Sequence, residues 1–308
     1  MKPKIPLIID CDPGIDDSFA LFYTHLSNDF DLKAVVSVAG NVPIEMTTQN
    51  AGFLISRLNA KIPLIKGADR PLVGEPIIAK YAHGANGLGG FLFEGDYTSS
   101  AYQGNPTEYY YKTLTMSQQP ITIAAIGPLT NLAKLFMAYP DAVKYIEKIM
   151  VMGGGVKFGN YTACAEFNIA ADPLAAQIVL NSGVKVSFVP LDTTEAIGFD
   201  REFMNFLKVS PNPLSKLLYD IVDAKVHFNE TDEEIKLYLH DMVTIIAITH
   251  PEWFELNDTH IAVELHGNLT KGKTIFDLRK HRSNPPNAVY VAYKEREALI
   301  QHVREVFA

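Results

Sequence analysis

The stretch IPLIIDCDPGIDD, residues 5–17, decides the fold class. Residues 5–9 form a continuous apolar run, which predicts a strand buried on both faces. The run ends in Asp10 and Asp12, turns at Pro13 and Gly14, and passes into helical spacing over residues 17–26. A doubly buried strand followed at once by a helix is the first half of a βαβ unit.

The same alternation continues outward. Strands are predicted at residues 32–39, 62–65, 121–126, 149–152 and 184–190, with helices at 44–58, 129–138 and 173–181. This is an α/β pattern: an open, mostly parallel sheet of Rossmann-like βα units with flanking helices. Residues 200–249 read as helix-rich with no obvious strand, a C-terminal segment expected to lie over the active site. β signals return at 261–265, 274–278 and 288–292, and a charged helix closes the chain at 294–307. Without a linker, low-complexity tract or internal repeat, residues 1–308 are read as one domain. Residues 74–104, with their Gly-rich HGANGLGG, are too long for an ordinary connector, and such loops are usually functional or mobile.

Composition narrows the function. Of 308 residues, 47% are hydrophobic and 20% charged, ordinary for a chain that buries a full core without staples. The net charge of −8 opposes non-specific nucleic-acid binding, so a substrate with a base and a sugar would be a small molecule. Two cysteines, Cys11 and Cys164, form no disulfide framework and are expected to be small buried thiols. The N-terminus lacks a signal-peptide pattern, and no window approaches the ~18 uncharged apolar residues of a membrane span. A cytoplasmic protein is expected.

Four aspartates within eight residues, Asp10, Asp12, Asp16 and Asp17, stand at the carboxyl end of the first strand, where open α/β sheets bind ligands. Their mutual repulsion demands a cation, and carboxylates are ligands for hard cations such as Ca²⁺ or Mg²⁺. Helix capping accounts for Asp16 and Asp17 but not for all four. EF-hand spacing, the G-x-G-x-x-G fingerprint and the phosphate-binding P-loop are all missing. A second constellation, His240 and Asp241, opens an apolar helix. It reads either as a cap with a neighbouring histidine or as a further metal ligand beside a general acid. A third, Glu166, Phe167 and Asn168, follows the Gly-rich MGGG; it reads as a polar turn or as a set of sugar-binding groups. His83, in the Gly-rich loop, is expected to be exposed, as a lid residue or merely facing solvent.

These motifs together resemble the inosine–uridine-type nucleoside hydrolase family, in the subgroup with a leaving-group histidine. The resemblance rests on DCDPGIDD at 10–17, VAGN at 38–41, HGANGLGG at 83–90 and IGPLTNLA at 126–133. It continues through VMGGG at 151–155, AEFNIAADP at 165–173 and HD at 240–241. It implies a Ca²⁺ ion held by Asp12, Asp17, the Ile126 carbonyl and Asp241, with Asp10 in support. Asp12 is implied as general base toward the attacking water and His240 as proton donor to the leaving base. Asp16, Asn41, Glu166 and Asn168 are implied to hold the ribose, with Asn160, Met152 and Phe167 nearby and His83 in the pocket loop. The implied reaction is hydrolysis of the N-glycosidic bond of purine or pyrimidine ribonucleosides with inversion, in salvage or catabolism, by a homotetramer or dimer. The segment before His240 departs from the family, leaving His227, Phe228 and Tyr238 as local candidates for contacts with the base.

Other readings remain open: a hydrolase of a modified nucleoside, or a non-catalytic nucleoside- or ribose-binding protein. A metal-dependent phosphohydrolase with an aspartyl nucleophile is disfavoured, since Pro13 and Gly14 break its D-x-D-x-[TV] pattern.

Overall fold

Why a run of apolar residues becomes a central strand is visible in the computed structural model, which describes residues 3–226 and 236–308. In β1 (Ile5–Cys11) the side chains of Leu7, Ile9 and Cys11 enter one core and that of Ile8 enters the other. The period-two alternation of a strand thus feeds apolar layers on both faces, and no polar face is needed. The strand lies between β2 (Phe30–Ser37) and β5 (Ile121–Ala125), parallel to both.

The remaining strands are β3 (Leu64–Lys66), β4 (Ala101–Tyr102), β6 (Ile146–Met152), β7 (Val186–Val189), β8 (Phe254–Val263), β9 (Thr274–Asp277) and β10 (Ala288–Tyr293). All ten join in the order β4-β3-β2-β1-β5-β6-β7-β10-β8-β9. Every neighbouring pair is parallel except β10 with β8 and β8 with β9. The connections leave β1 for β2 on one side, and β5 lies on the other. That reversal opens a crevice at the carboxyl ends of β1 and β5.

The helices are α1 (Ile15–Leu26), α2 (Ile44–Ser56), α3 (Lys80–His83), α4 (Pro106–Met116), α5 (Thr130–Ala138), α6 (Phe167–Ala171), α7 (Pro173–Leu180), α8 (Leu191–Thr194), α9 (Arg201–Val209), α10 (Pro213–Val226), α11 (His240–Thr249) and α12 (Arg296–Val306). Helix α1 is buried from Ile15 through Thr24 because α10, α11 and α12 pack over it. Phe19 meets Phe203 at 6.4 Å and Phe307 at 6.1 Å between ring centroids, closing the layer outside the sheet. The helix-rich C-terminal segment is therefore a second layer on one face.

Several elements differ from the sequence reading. Helix α1 begins at Ile15, two residues early, so Asp16 and Asp17 sit inside its first turn. Helix α4 was not foreseen, although Asn105 caps it and Pro106 stands at its first position. Strand β8 starts at Phe254, because residues 255–258 keep exposed side chains that hide its period. Residues 74–104 contain α3, a 3₁₀ turn at Thr98–Ser100 and β4, and are otherwise irregular. Cys11 is buried as expected, but Cys164 is partly exposed, in a turn where Thr162 and the Leu269 carbonyl approach its sulfur.

One buried amide ties the strand ends together. Asn131 Nδ2 donates to Asp10 Oδ1 at 3.0 Å and to the Ser37 carbonyl at 3.1 Å, while its Oδ1 accepts from Ala68 N at 2.8 Å. Replacing it with leucine removes this partner from Asp10 Oδ1 and Ala68 N in the interior, while the Ser37 carbonyl keeps Gly67 N at 3.0 Å. Asn131→Leu should lower the unfolding free energy by about 1–3 kcal/mol, the penalty for an unsatisfied buried polar group. Urea denaturation followed by circular dichroism measures it, and an unchanged midpoint would refute the assignment.

Candidate active site

Each acid reaches the crevice for a local reason. Asp10 is the last residue but one of β1, and its carbonyl accepts from Ile126 N at 2.8 Å, which brings the Ile126 carbonyl to the same place. Asp12 follows the strand, and its Oδ2 accepts from Asn41 N at 2.7 Å. A Cβ at Gly40 would collide with that carboxylate, and one at Gly127 would lie 2.6 Å from Oδ1; both loops need glycine to let Asp12 in. Asp17 reaches back to accept from Gly14 N at 2.8 Å, the acid half of a capping box. Asp241 arrives from the far end of the sequence in the first turn of α11, which packs on α1.

Carboxylate oxygens of Asp16, Asp17 and Asp241 come within 4.8 Å of one another. Asp12 lies outside this trio, held instead by Asn41. Burial first, then neighbouring acids, pushes Asp12 and Asp241 well above the usual carboxylate range. Burial and the nearby Asp16 push Asp17 up to about 8, and burial raises Asp10 to about 8. Asp10 Oδ2, Asp16 Oδ1 and Asp17 Oδ1 are buried with no hydrogen-bond partner. Crowded, desolvated and unpartnered carboxylate oxygens are what a hard cation satisfies, and the all-oxygen donor set fits one.

Above the acids is a cavity of about 310 Å³, large enough for a small ligand. Its wall includes Asp12, Asp16, Asn41, Ile126, Met152, Asn160, Glu166, Phe167, Asn168 and Asp241 on one side. His83, His240 and Tyr238 line it as well. Asp10 and Asp17 are not in the wall. Glu166 caps α6, accepting from Asn168 N at 2.8 Å, Gly154 N at 2.9 Å and Ile169 N at 3.1 Å. Burial raises it to about 7 against those amides, which pull the other way. Glu166 is therefore both the cap of α6 and part of the cavity wall. Asn168 Nδ2 donates to the Ile126 and Met152 carbonyls, each at 3.1 Å, and Asn160 Oδ1 accepts from Phe167 N at 2.9 Å.

His83 is tucked in rather than exposed, with 16% of its side chain accessible. Its Nδ1 accepts from Ile15 N at 3.2 Å. Burial lowers its pKa, with Asp16 opposing; His240 is lowered for the same first reason. Tyr238 stacks loosely near His240, ring centroids 6.0 Å apart. It is held there because Leu237 and Phe199 exchange backbone hydrogen bonds of 2.7 and 2.9 Å. His227 and Phe228 lie outside the described residues. Sequence reasoning missed Tyr81, Val222, Lys225, Val226 and Lys236, which also line the cavity. For Val222 and Val226 a signal existed in their helical spacing from Leu218; for the lysines there was none.

A sequence profile described as inosine-uridine preferring nucleoside hydrolase matches residues 7–301. The chain belongs to that family. As a nucleoside hydrolase it is 35% identical to the non-specific ribonucleoside hydrolase RihC of Salmonella typhimurium over 308 residues, 100% of this chain and 99% of the relative. A solved plant nucleoside hydrolase shares 29% identity and superposes with a TM-score of 0.89 over 99% of both chains. The purine-preferring ribonucleoside hydrolase of Gardnerella vaginalis, at 23% identity, shares the fold with a TM-score of 0.87 over 98% of both chains. Among the described residues, no helix of this nucleoside hydrolase is long and apolar enough to cross a membrane.

The acid cluster makes the cation-free protein pH-sensitive. Asp10, Asp17 and Glu166 titrate higher in the folded chain, at about 8, 8 and 7, than carboxyls do in an unfolded one. Their contribution to stability is therefore complete below about pH 4 and is lost as pH rises through 7 to 8. With chelator, the melting temperature should fall between pH 5 and 8.5. Added Ca²⁺ should restore it most at the alkaline end, where the acids are ionised. Scanning calorimetry at several pH values checks both; a flat profile with chelator contradicts the cluster's electrostatics.

Proposed function

We propose that this nucleoside hydrolase cleaves the N-glycosidic bond of ribonucleosides, purine and pyrimidine alike, to free base and ribose with inversion, using Ca²⁺ as its resident cation. One observation carries the reading: a single cavity joins a floor of buried carboxylates to a wall with two histidines. Those are the two chemistries that cleavage of this bond requires, stabilised positive charge on the sugar and a proton for the base.

Asp12, Asp17, Asp241 and the Ile126 carbonyl would hold the cation, and Asp16, whose oxygen joins the trio, stands beside them toward the sugar. When bound, the cation supplies charge neutralisation to the acids and Lewis acidity to water. Asp12 keeps Oδ2 on Asn41 N and offers Oδ1 to take a proton from the attacking water. Asp16, Asn41, Glu166 and Asn168 hold the ribose hydroxyls, and their negative ends favour the oxocarbenium-like transition state. Asn160, Phe167 and the Met152 backbone close the sugar side. As the bond breaks, its electron pair goes to the base and His240 donates a proton, with His83 beside it. Attack from the face opposite the base inverts the anomeric carbon.

Breadth toward bases is supported by the relative described as non-specific and by the apolar Val222, Val226 and Leu237 in the wall. Such contacts accept either ring system. A cytoplasmic enzyme of nucleoside salvage or catabolism, assembled as a dimer or tetramer, is the setting that goes with this reading.

A reducing-sugar assay over inosine, adenosine, guanosine, uridine, cytidine and 5-methyluridine tests it. Ribose should appear from both base classes and disappear after exhaustive chelation; no ribose from any of them refutes the reading. Asp12→Asn should cut kcat by about 10²–10⁴-fold, the span of a lost general base, with nucleoside binding retained. Turnover that survives this change would remove Asp12 from the chemistry.

A further inference from the structure

A histidine that gives a proton to a leaving base must present one chosen nitrogen, yet an imidazole can flip and has two neutral tautomers. At His240 the choice is made by a residue outside the cavity wall. Thr194, the last residue of α8, is wholly buried, and its Oγ1 lies 2.7 Å from His240 Nδ1. We propose that Thr194 is a positioning residue that holds the His240 ring with Nδ1–H on its own hydroxyl oxygen and Nε2 facing the substrate. The inference rests on the function proposed above.

The partners of the hydroxyl support this direction of the hydrogen bond. Its proton has the Leu191 and Pro190 carbonyls within 3.4 and 3.5 Å, which leaves a lone pair to face Nδ1. The platform is rigid. Thr194 N donates to the Pro190 carbonyl at 3.1 Å, and Thr193 Oγ1 donates to the Val291 carbonyl at 2.6 Å, tying α8 to β10. Asp192, on the same short helix, accepts from Val156 N at 2.6 Å. On the other side, the Phe199 and Leu237 bridge fixes the approach to α11.

The second histidine makes the contrast. His83 Nδ1 accepts from Ile15 N, so its neutral ring carries the proton on Nε2. The two rings that line the cavity are thus set in opposite tautomers by one backbone amide and one hydroxyl. Before cleavage the Nε2 of His240 takes up a proton from solvent; as the electron pair of the N-glycosidic bond passes to the base nitrogen, that Nε2 proton follows it. The ring returns to the neutral Nδ1–H form still bonded to Thr194. Water adds to the anomeric carbon and gives its proton to Asp12.

The test compares Thr194→Val, which keeps the shape and removes the hydroxyl, with Thr194→Ser, which keeps the hydroxyl. In protein labelled with ¹⁵N-histidine, long-range proton–nitrogen correlation should show the His240 ring as Nδ1–H in the wild type and in T194S, and shifted toward Nε2–H in T194V; H240Q assigns the signal. On inosine and uridine, T194V should lose about 10–100-fold in kcat, part of what a general acid supplies, with KM changed little. On p-nitrophenyl riboside, whose phenolate departs without a proton, it should stay within about two-fold of wild type, because no acid is needed. T194S should restore nucleoside turnover. A wild-type ring in the Nε2–H form, or equal losses on both substrates, would overturn the proposal. A wild type that cleaves no nucleoside would refute the functional reading alone, since the tautomer signal still decides the role of Thr194.

Discussion

Repulsion among buried carboxylates at the end of β1 is the constraint around which the rest of the molecule is arranged. Asp10, Asp12, Asp16, Asp17 and Asp241 crowd into an interior with little water to screen them. A fold reaches this state only if other interactions hold the backbone that carries the charges. Here they are the doubly buried β1, the half capping box of Asp17 on Gly14, the Asn41 grip on Asp12 and the Asn131 grip on Asp10. Much of the second layer, with α9, α10, α11 and α12 over α1, serves to keep that first βα turn dry. The same desolvation that raises the acids' pKa values strengthens their pull on a cation and on a developing positive charge.

The opposite wall of the cavity has the reverse electrostatics. Burial lowers the pKa of His83 and His240, while Asp16 opposes that shift in both. The cavity therefore has acids on its floor and basic rings on its wall within one small volume. Nothing on the sheet itself could supply that wall. It is assembled from α3, α10, the 236–238 segment and the start of α11. The Gly-rich stretch around His83 has a positive φ at Gly84, Gly87, Gly89 and Gly90, which lets the chain fold back against α10.

The parts that were hard to read share a physical cause. Helix α4 has a mixed face of tyrosines and polar residues, so its apolar period is weak even though its cap is plain. The first half of β8 exposes alternate and neighbouring polar side chains, because it belongs to the antiparallel margin of the sheet. Cys164 was expected to be buried on the habit of free thiols, and its turn instead leaves it near the surface. Tyr81 and the lysines of the cavity wall stand in a loop, at a helix end and just before α11, where no periodicity marks which way a side chain faces. Thr194 is more hidden still, an ordinary residue in a four-residue helix.

By itself the sequence determined the parallel α/β architecture, the acid turn after β1 and the order of the motifs around it. These are local features: apolar period, turn chemistry and charge density act between near neighbours in the chain. Only the tertiary structure decided which distant residues meet. It brought carboxylate oxygens of Asp16, Asp17 and Asp241 within 4.8 Å of one another, turned His83 inward, and placed Thr194 against a ring 46 residues away. Contacts between distant segments depend on how whole layers pack, and a one-dimensional pattern carries no record of that distance.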